Sequence, residues 1–188
     1  MKDNYKNEKS DYLYHYTSFS TAVKLIIPEL KLKAGTFINS NDPREIESFG
    51  FGTLSNEAPN YKYLDDYEKE QLLISERLRK SVKYLCFCQD YFFENEWWDG
   101  YNMPRMWHQY AENHKGVCLE IDKELFIQEN ENLFSKSNVF FEDIEYSNSH
   151  EELTVNLILL RSDQEKYIQE FITDHNKYLF FRKTSDWS

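Results

Sequence analysis

Polar and apolar positions change period several times along the chain, and each change predicts an element. Leu13 to Thr17 alternates, with Tyr14 and Tyr16 on one side and Leu13, His15 and Thr17 on the other, which is the period of a strand. Ser18 or Ser20 then caps a helix running to about Pro28, with Val23, Ile26 and Ile27 as its buried face. Residues 30–38 read as a second strand interrupted near Gly35. Asn41-Asp42-Pro43 is turn chemistry, with Asp42 as the cap and Pro43 as the first residue of a short helix. Residues 50–64 show no period. Asp65 to Lys80 is an amphipathic helix with Leu72, Leu73, Ser75 and Leu78 set among charges, and Lys83 to Gln89 is a strand buried on both faces. Residues 90–103 read as an aromatic, acidic loop around Trp97 and Trp98.

The segment from Met106 to Asp122 packs the most information. Trp107, Tyr110, Ala111 and His114 fall at i, i+3, i+4 and i+7, so a helix would carry them on one face. Gly116 is the expected left-handed helix stop. Val117, Leu119 and Ile121 then alternate with Cys118, Glu120 and Asp122 as a strand. Asn138 to Tyr146 reads as another strand, and Glu151 to about Tyr178 as a long helical region. Strands and helices interleave without a βαβ rhythm. The fold class is therefore α+β, a mixed or antiparallel sheet flanked by helices, in one domain over residues 11–188 behind a loose lead-in at 1–10.

A chain of 188 residues suits one domain with a sizeable core, and its 14 Tyr and 14 Phe supply the core material. The net charge of −11 argues against an extended nucleic-acid surface. Three cysteines, unevenly spaced, make no disulfide framework; they read as reduced and mostly buried, which fits the cytoplasm. No apolar run resembles a signal peptide or reaches the length of a membrane span.

Several chemistries are disfavoured by spacing. His108 and His114 are six residues apart, off the i, i+4 spacing of a helical metal pair, and Cys86-x-Cys88 has no second pair at zinc spacing, so no metal is expected. No nucleophile elbow, phosphate loop or dinucleotide fingerprint is present. Glu120-Ile121-Asp122-Lys123 lacks the gap a nuclease motif needs; Asp122 reads as a cap, and Glu120 is kept as a spare catalytic carboxylate. Trp97 and Trp98 lie among Glu94, Glu96 and Asp99, and the preferred reading folds these rings onto the domain; the 91–101 loop is otherwise a candidate protein-partner surface.

Three ordered blocks carry a family resemblance: Tyr14-His15-Tyr16-Thr17-Ser18, then Asn41-Asp42-Pro43-Arg44-Glu45, then Met106-Trp107-His108-Gln109-Tyr110-Ala111 leading to His114-Lys115-Gly116. Their order and spacing resemble the bacterial domain of unknown function 2971 family, which usually has an apolar residue where this chain has Arg44. Members of that family generally continue into a Trp-x-x-Glu-x-Glu-x-Arg block, whereas this sequence reaches Trp187-Ser188, so the resemblance implies a chain lacking its C-terminal acidic block.

The first block is also similar, at fold level, to the start of ADP-ribosyltransferase-like folds. That similarity implies an NAD-binding or NAD-cleaving domain, weakly active if truncated. His15 and Thr17 would position the dinucleotide, and an aromatic from the first strand (Tyr16) or the Trp107/Tyr110 face would stack on nicotinamide. Asn41, Asp42, Glu45 and His114 would add ligand contacts, and a late glutamate would stabilise the oxocarbenium-like transition state. The alternative expectation is a non-catalytic binding or regulatory protein of a bacterial stress or phage-defence system.

Overall fold

The computed structural model describes residues 11–39, 51–53, 64–136, 139–146, 153–155, 166, 169–170, 172–174 and 182–183. The architecture is α+β. Its described residues fall into two compact units, one within Met1–Ala34 and Leu85–Ser137, the other within Gly35–Tyr84 and Asn138–Ser188.

The first unit is built on β1 (Tyr12–Thr17), which pairs antiparallel with β7 (Val117–Asp122) along its whole length, Tyr12 opposite Asp122 and Thr17 opposite Val117. On its other edge β1 exchanges two backbone hydrogen bonds with Cys88, both 2.9 Å. Ser18 ends the strand and caps the helix α1 (residues 19–29), accepting from the Thr21 amide at 3.0 Å. The middle of α1, Ala22–Ile26, is a π-helical segment, and Leu30 closes the helix in the left-handed region at φ 49°. A π turn holds more residues than an α turn, so a 3.6 period misplaces the inward face. Ala22 is buried and Ile26 half-buried, while Val23 and Ile27, expected inside, are exposed.

Residues expected to form a loop make a hairpin instead: β5 (Tyr91–Phe93) pairs with β6 (Glu96–Trp98). Its two turn residues, Glu94 and Asn95, both have positive φ (50° and 67°), which is the I′ geometry that matches strand twist. The helix α3 (Pro104–Tyr110) follows, with Pro104 as its first residue, and packs against β1. After β7, Asp122 caps α4 (Lys123–Glu129) by accepting from the Leu125 amide at 2.8 Å, and α5 (Glu131–Phe134) completes the unit.

In the second unit, β2 (Gly35–Thr36) pairs antiparallel with β4 (Lys83–Tyr84), β3 (Phe51–Thr53) runs parallel to β9 (Leu153–Val155), and β8 (Glu145–Tyr146) runs parallel to β10 (Arg182–Lys183). Only Gly35–Thr36 of the strand expected at 30–38 is extended in a ladder; a 3₁₀ turn at Phe37–Asn39 follows it. Phe37 stacks on Tyr84 with centroids 4.6 Å apart, and its 3₁₀ turn packs against α2 (Leu64–Ser81), on which Ser75 and Leu78 are buried. Ser75 and Leu78 are buried as i, i+3 neighbours; Leu72 and Leu73 are exposed, although the apolar pattern counted them with the same helix. Leu153–Val155 is strand where a helix was expected, and its Leu-Thr-Val sequence is β-branched enough for parallel pairing. Among the described residues, no helix is long and apolar enough to cross a membrane.

Candidate functional site

The β1–β7 ladder has two chemically distinct faces because alternate side chains point opposite ways. On one face Tyr14 and Tyr16 are buried with Ala111, and Cys88, Met103, Met106, Trp107, Tyr110 and Cys118 pack around them. The Tyr16 hydroxyl donates to the Gly100 carbonyl at 2.7 Å and accepts from the Met103 amide at 3.3 Å, so its hydrogen-bonding capacity is used structurally. Its ring meets Trp107 edge-on at 5.3 Å, and the Trp107 indole donates to the Tyr101 carbonyl at 2.8 Å. Asp90 accepts from the Gly100 amide at 2.7 Å and, more weakly, from the Tyr14 hydroxyl at 3.4 Å. Burial raises both phenols well above their ordinary range, for Tyr14 with help from the Asp90 carboxylate. Burial also pushes the Cys88 thiol up to about 12 and the Cys118 thiol to about 11, which makes both poor nucleophiles. Cys86, expected to be buried, is exposed.

The opposite face carries His15. Its Nδ1 lies 3.5 Å from the Cys86 carbonyl oxygen, at the outer limit of a hydrogen bond. Its ring meets Phe87 edge-on at 5.9 Å, and the aromatic row continues to Phe126 (5.8 Å) and Phe134 (6.1 Å). Desolvation lowers the His15 pKa below its ordinary value of 6.5, against an opposing pull from the Cys86 carbonyl. At neutral pH the ring is therefore uncharged. With Nδ1–H toward Cys86, Nε2 is the acceptor. Thr17 is buried two residues along the same face, roughly 7 Å away by strand geometry.

The turn joining α3 to β7 departs from its sequence pattern. The helix stops at Tyr110 with Ala111 as its cap, and Glu112, Asn113 and His114 follow with φ of 49°, 53° and 67°. Three consecutive left-handed residues that are not glycine are costly, and here backbone bonds hold them: the His114 amide donates to the Trp107 carbonyl at 3.0 Å, and the Asn113 amide to that of His108 at 3.2 Å. His114 is thus not the next step of the Trp107–Tyr110 stripe. It is exposed, with its ring 6.3 Å from that of His108. Gly116, expected to supply the positive φ, does not have one. Its lack of a side chain serves close approach instead: a Cβ there would press on the Thr17 carbonyl oxygen and lie 2.7 Å from the Ala111 Cα.

Residues 106–188 match the family model described as Protein of unknown function (DUF2971).

The DUF2971 match begins within α3 and takes in the strained turn and β7, the third of the three sequence blocks. It supports the family resemblance at the third block, the blocks at 14–18 and 41–45 lying outside the match, and says nothing of an activity. No curated protein and no solved structure matches the chain.

The ladder brings His15 and Thr17 together and separates them from other candidates. Tyr16, Trp107 and Tyr110 belong to the tyrosine face. Glu120 pairs with Tyr14 and so lies on that same side, away from His15, where it is exposed. Asn41, Asp42 and Glu45 lie outside the described residues. Among the described residues, no group of three or more His, Cys, Asp or Glu side chains could hold a metal ion. Among the described residues the aromatic ring beside His15 is that of Phe87, and its alternation with Cys86 and Cys88 is the signal the sequence carries for it. Trp97 and Trp98, expected to fold onto the domain, stay 51% and 41% exposed on the hairpin.

Proposed function

We propose that the first unit is the nucleotide-binding part of an ADP-ribosyltransferase-like domain and takes NAD on the His15 face of β1. The observation that carries this reading is a half-buried, uncharged imidazole whose Nδ1 is turned to the Cys86 carbonyl and whose Nε2 is left as an acceptor, on one face with Thr17 and edge-on to Phe87. A neutral acceptor suits a ribose hydroxyl, and the neighbouring phenyl suits the flat nicotinamide ring. Neither ladder strand places a carboxylate on this face, since Glu120 and Asp122 alternate to the other side. The ladder therefore supports binding directly, and cleavage of the nicotinamide–ribose bond needs a carboxylate from outside it.

A thermal-shift series with NAD, ADP-ribose and nicotinamide tests this. A ligand at a hundred times its Kd stabilises by about 2.7 kcal/mol, which a melting curve registers. The unfolding midpoint rises with NAD, and the rise shrinks in His15→Ala. No shift with any of the three contradicts the reading.

One observation favours the second reading, a non-catalytic binding protein: the hairpin presents aromatic rings to solvent. Indifference to nucleotides together with a protein ligand on the hairpin would select it.

A further inference from the structure

The β5–β6 hairpin carries two cross-strand aromatic pairs, one on each face. Tyr91 and Trp98 stack nearly parallel, 6.3 Å apart at 16°, and Phe92 meets Trp97 at 5.4 Å. Tyr91 (37% exposed) and Trp98 (41%) together make a flat, solvent-facing platform. Strand alternation puts Glu96 on the same face as Trp98, and Glu94 sits exposed in the turn. Among the described residues the ladder has two strands, and no third strand of that set pairs with the outer edge of either.

Aromatic faces and carboxylates select the same chemistry. The π face attracts a cation, and guanidinium both stacks on it and forks onto a carboxylate. A lone lysine would gain the charge without the stacking. Single-stranded nucleic acid also stacks on such rings, but it needs a basic track, and here the rings are rimmed by Glu94, Glu96 and Asp99 on a chain of net charge −11.

We propose that the Tyr91–Trp98 platform with Glu96 is a docking site for an extended, arginine-bearing basic segment of a partner protein. The segment adds along the hairpin edge, with an arginine stacked on the platform and paired with Glu96. This surface does not involve the His15 face, so it stands whether or not the chain binds NAD.

The test is fluorescence anisotropy with labelled octa-arginine, octa-lysine and octa-uridylate at about 0.15 M salt, where long-range attraction is largely screened. Octa-arginine binds more tightly than octa-lysine, and octa-uridylate does not bind. Trp98→Ala and Tyr91→Ala, which leave the net charge unchanged, each weaken octa-arginine about tenfold. Should Trp98→Ala unfold the hairpin, Glu96→Lys is compared with Glu131→Lys, the same charge change at an exposed site on α5; only Glu96→Lys abolishes binding. Unchanged binding in folded Trp98→Ala and Tyr91→Ala, equal effects of the two charge reversals, or binding of octa-uridylate that depends on Trp98 each overturn the proposal.

Discussion

His15 and Trp107 lie on opposite faces of the β1–β7 ladder. Trp107 meets Tyr16 at 5.3 Å, whereas His15, one residue earlier on the strand, meets Phe87 at 5.9 Å. A strand thus divides a packing face from a face with a neutral acceptor, and substitutions on the two sides should separate stability from binding. Trp107→Ala costs roughly 2–3 kcal/mol, below the range for full burial because the indole is half-buried. It leaves NAD affinity unchanged in the folded fraction. Urea unfolding and an NAD titration of the same variant check both halves.

Tyr16→Phe removes the donor to Gly100 and the acceptor for Met103 without opening a large cavity. It leaves both backbone groups without this partner, at a cost of about 1–3 kcal/mol. The urea midpoint should fall while the slope of the transition stays the same.

The α3–β7 turn gives opposite expectations for two neighbours. Gly116→Ala drives a methyl into the Thr17 carbonyl and the Ala111 backbone, and costs about 1–3 kcal/mol. Glu112→Gly places glycine at φ 49°, relieves a left-handed residue and stabilises by up to about 1 kcal/mol. Thermal midpoints of the two variants should move in opposite directions. A drop for both would contradict this account of the turn.

The lowered pKa of His15 makes stability depend on pH with a definite sign. As pH falls below 6.5, the unfolded chain takes up the proton first, so it binds more protons than the folded one. The contribution of His15 is therefore complete above 6.5 and is lost as pH falls from there through the folded-state value. Melting curves from about pH 7.5 down to about pH 5.5 should fall more steeply for the natural chain than for His15→Gln. NAD affinity should weaken as pH falls through the folded-state value, where Nε2 becomes a donor.

Much of the frame was legible because local signals agree there with tertiary packing. Strict alternation marked β1 and β7, Ser18 and Asp122 were readable caps, and the apolar positions of residues 65–80 marked the long helix. Three of the departures share a physical cause, a backbone that leaves the standard periods or the usual turn residues. The π turn rotated the face of α1, and the left-handed run took His114 off the α3 stripe. The hairpin turned through Glu94-Asn95 rather than the glycine-bearing pair that announces such a turn. In the site, alternation placed His15 with Thr17 correctly, but no sequence period reveals which neighbouring strand lies beside which. Trp107 and Tyr110 pack on the tyrosine face and Phe87 beside His15, a division that no period in the sequence marks.

The central claim is that the His15 face holds NAD, and calorimetric titration of NAD into the natural chain and into His15→Ala and Phe87→Leu tests it most directly. The account predicts saturable binding by the natural chain, weakened about three- to tenfold by His15→Ala, the worth of one hydrogen bond. Phe87→Leu, which keeps apolar volume but loses the ring, should weaken it as well. No binding by the natural chain, or equal affinity in all three, would contradict it.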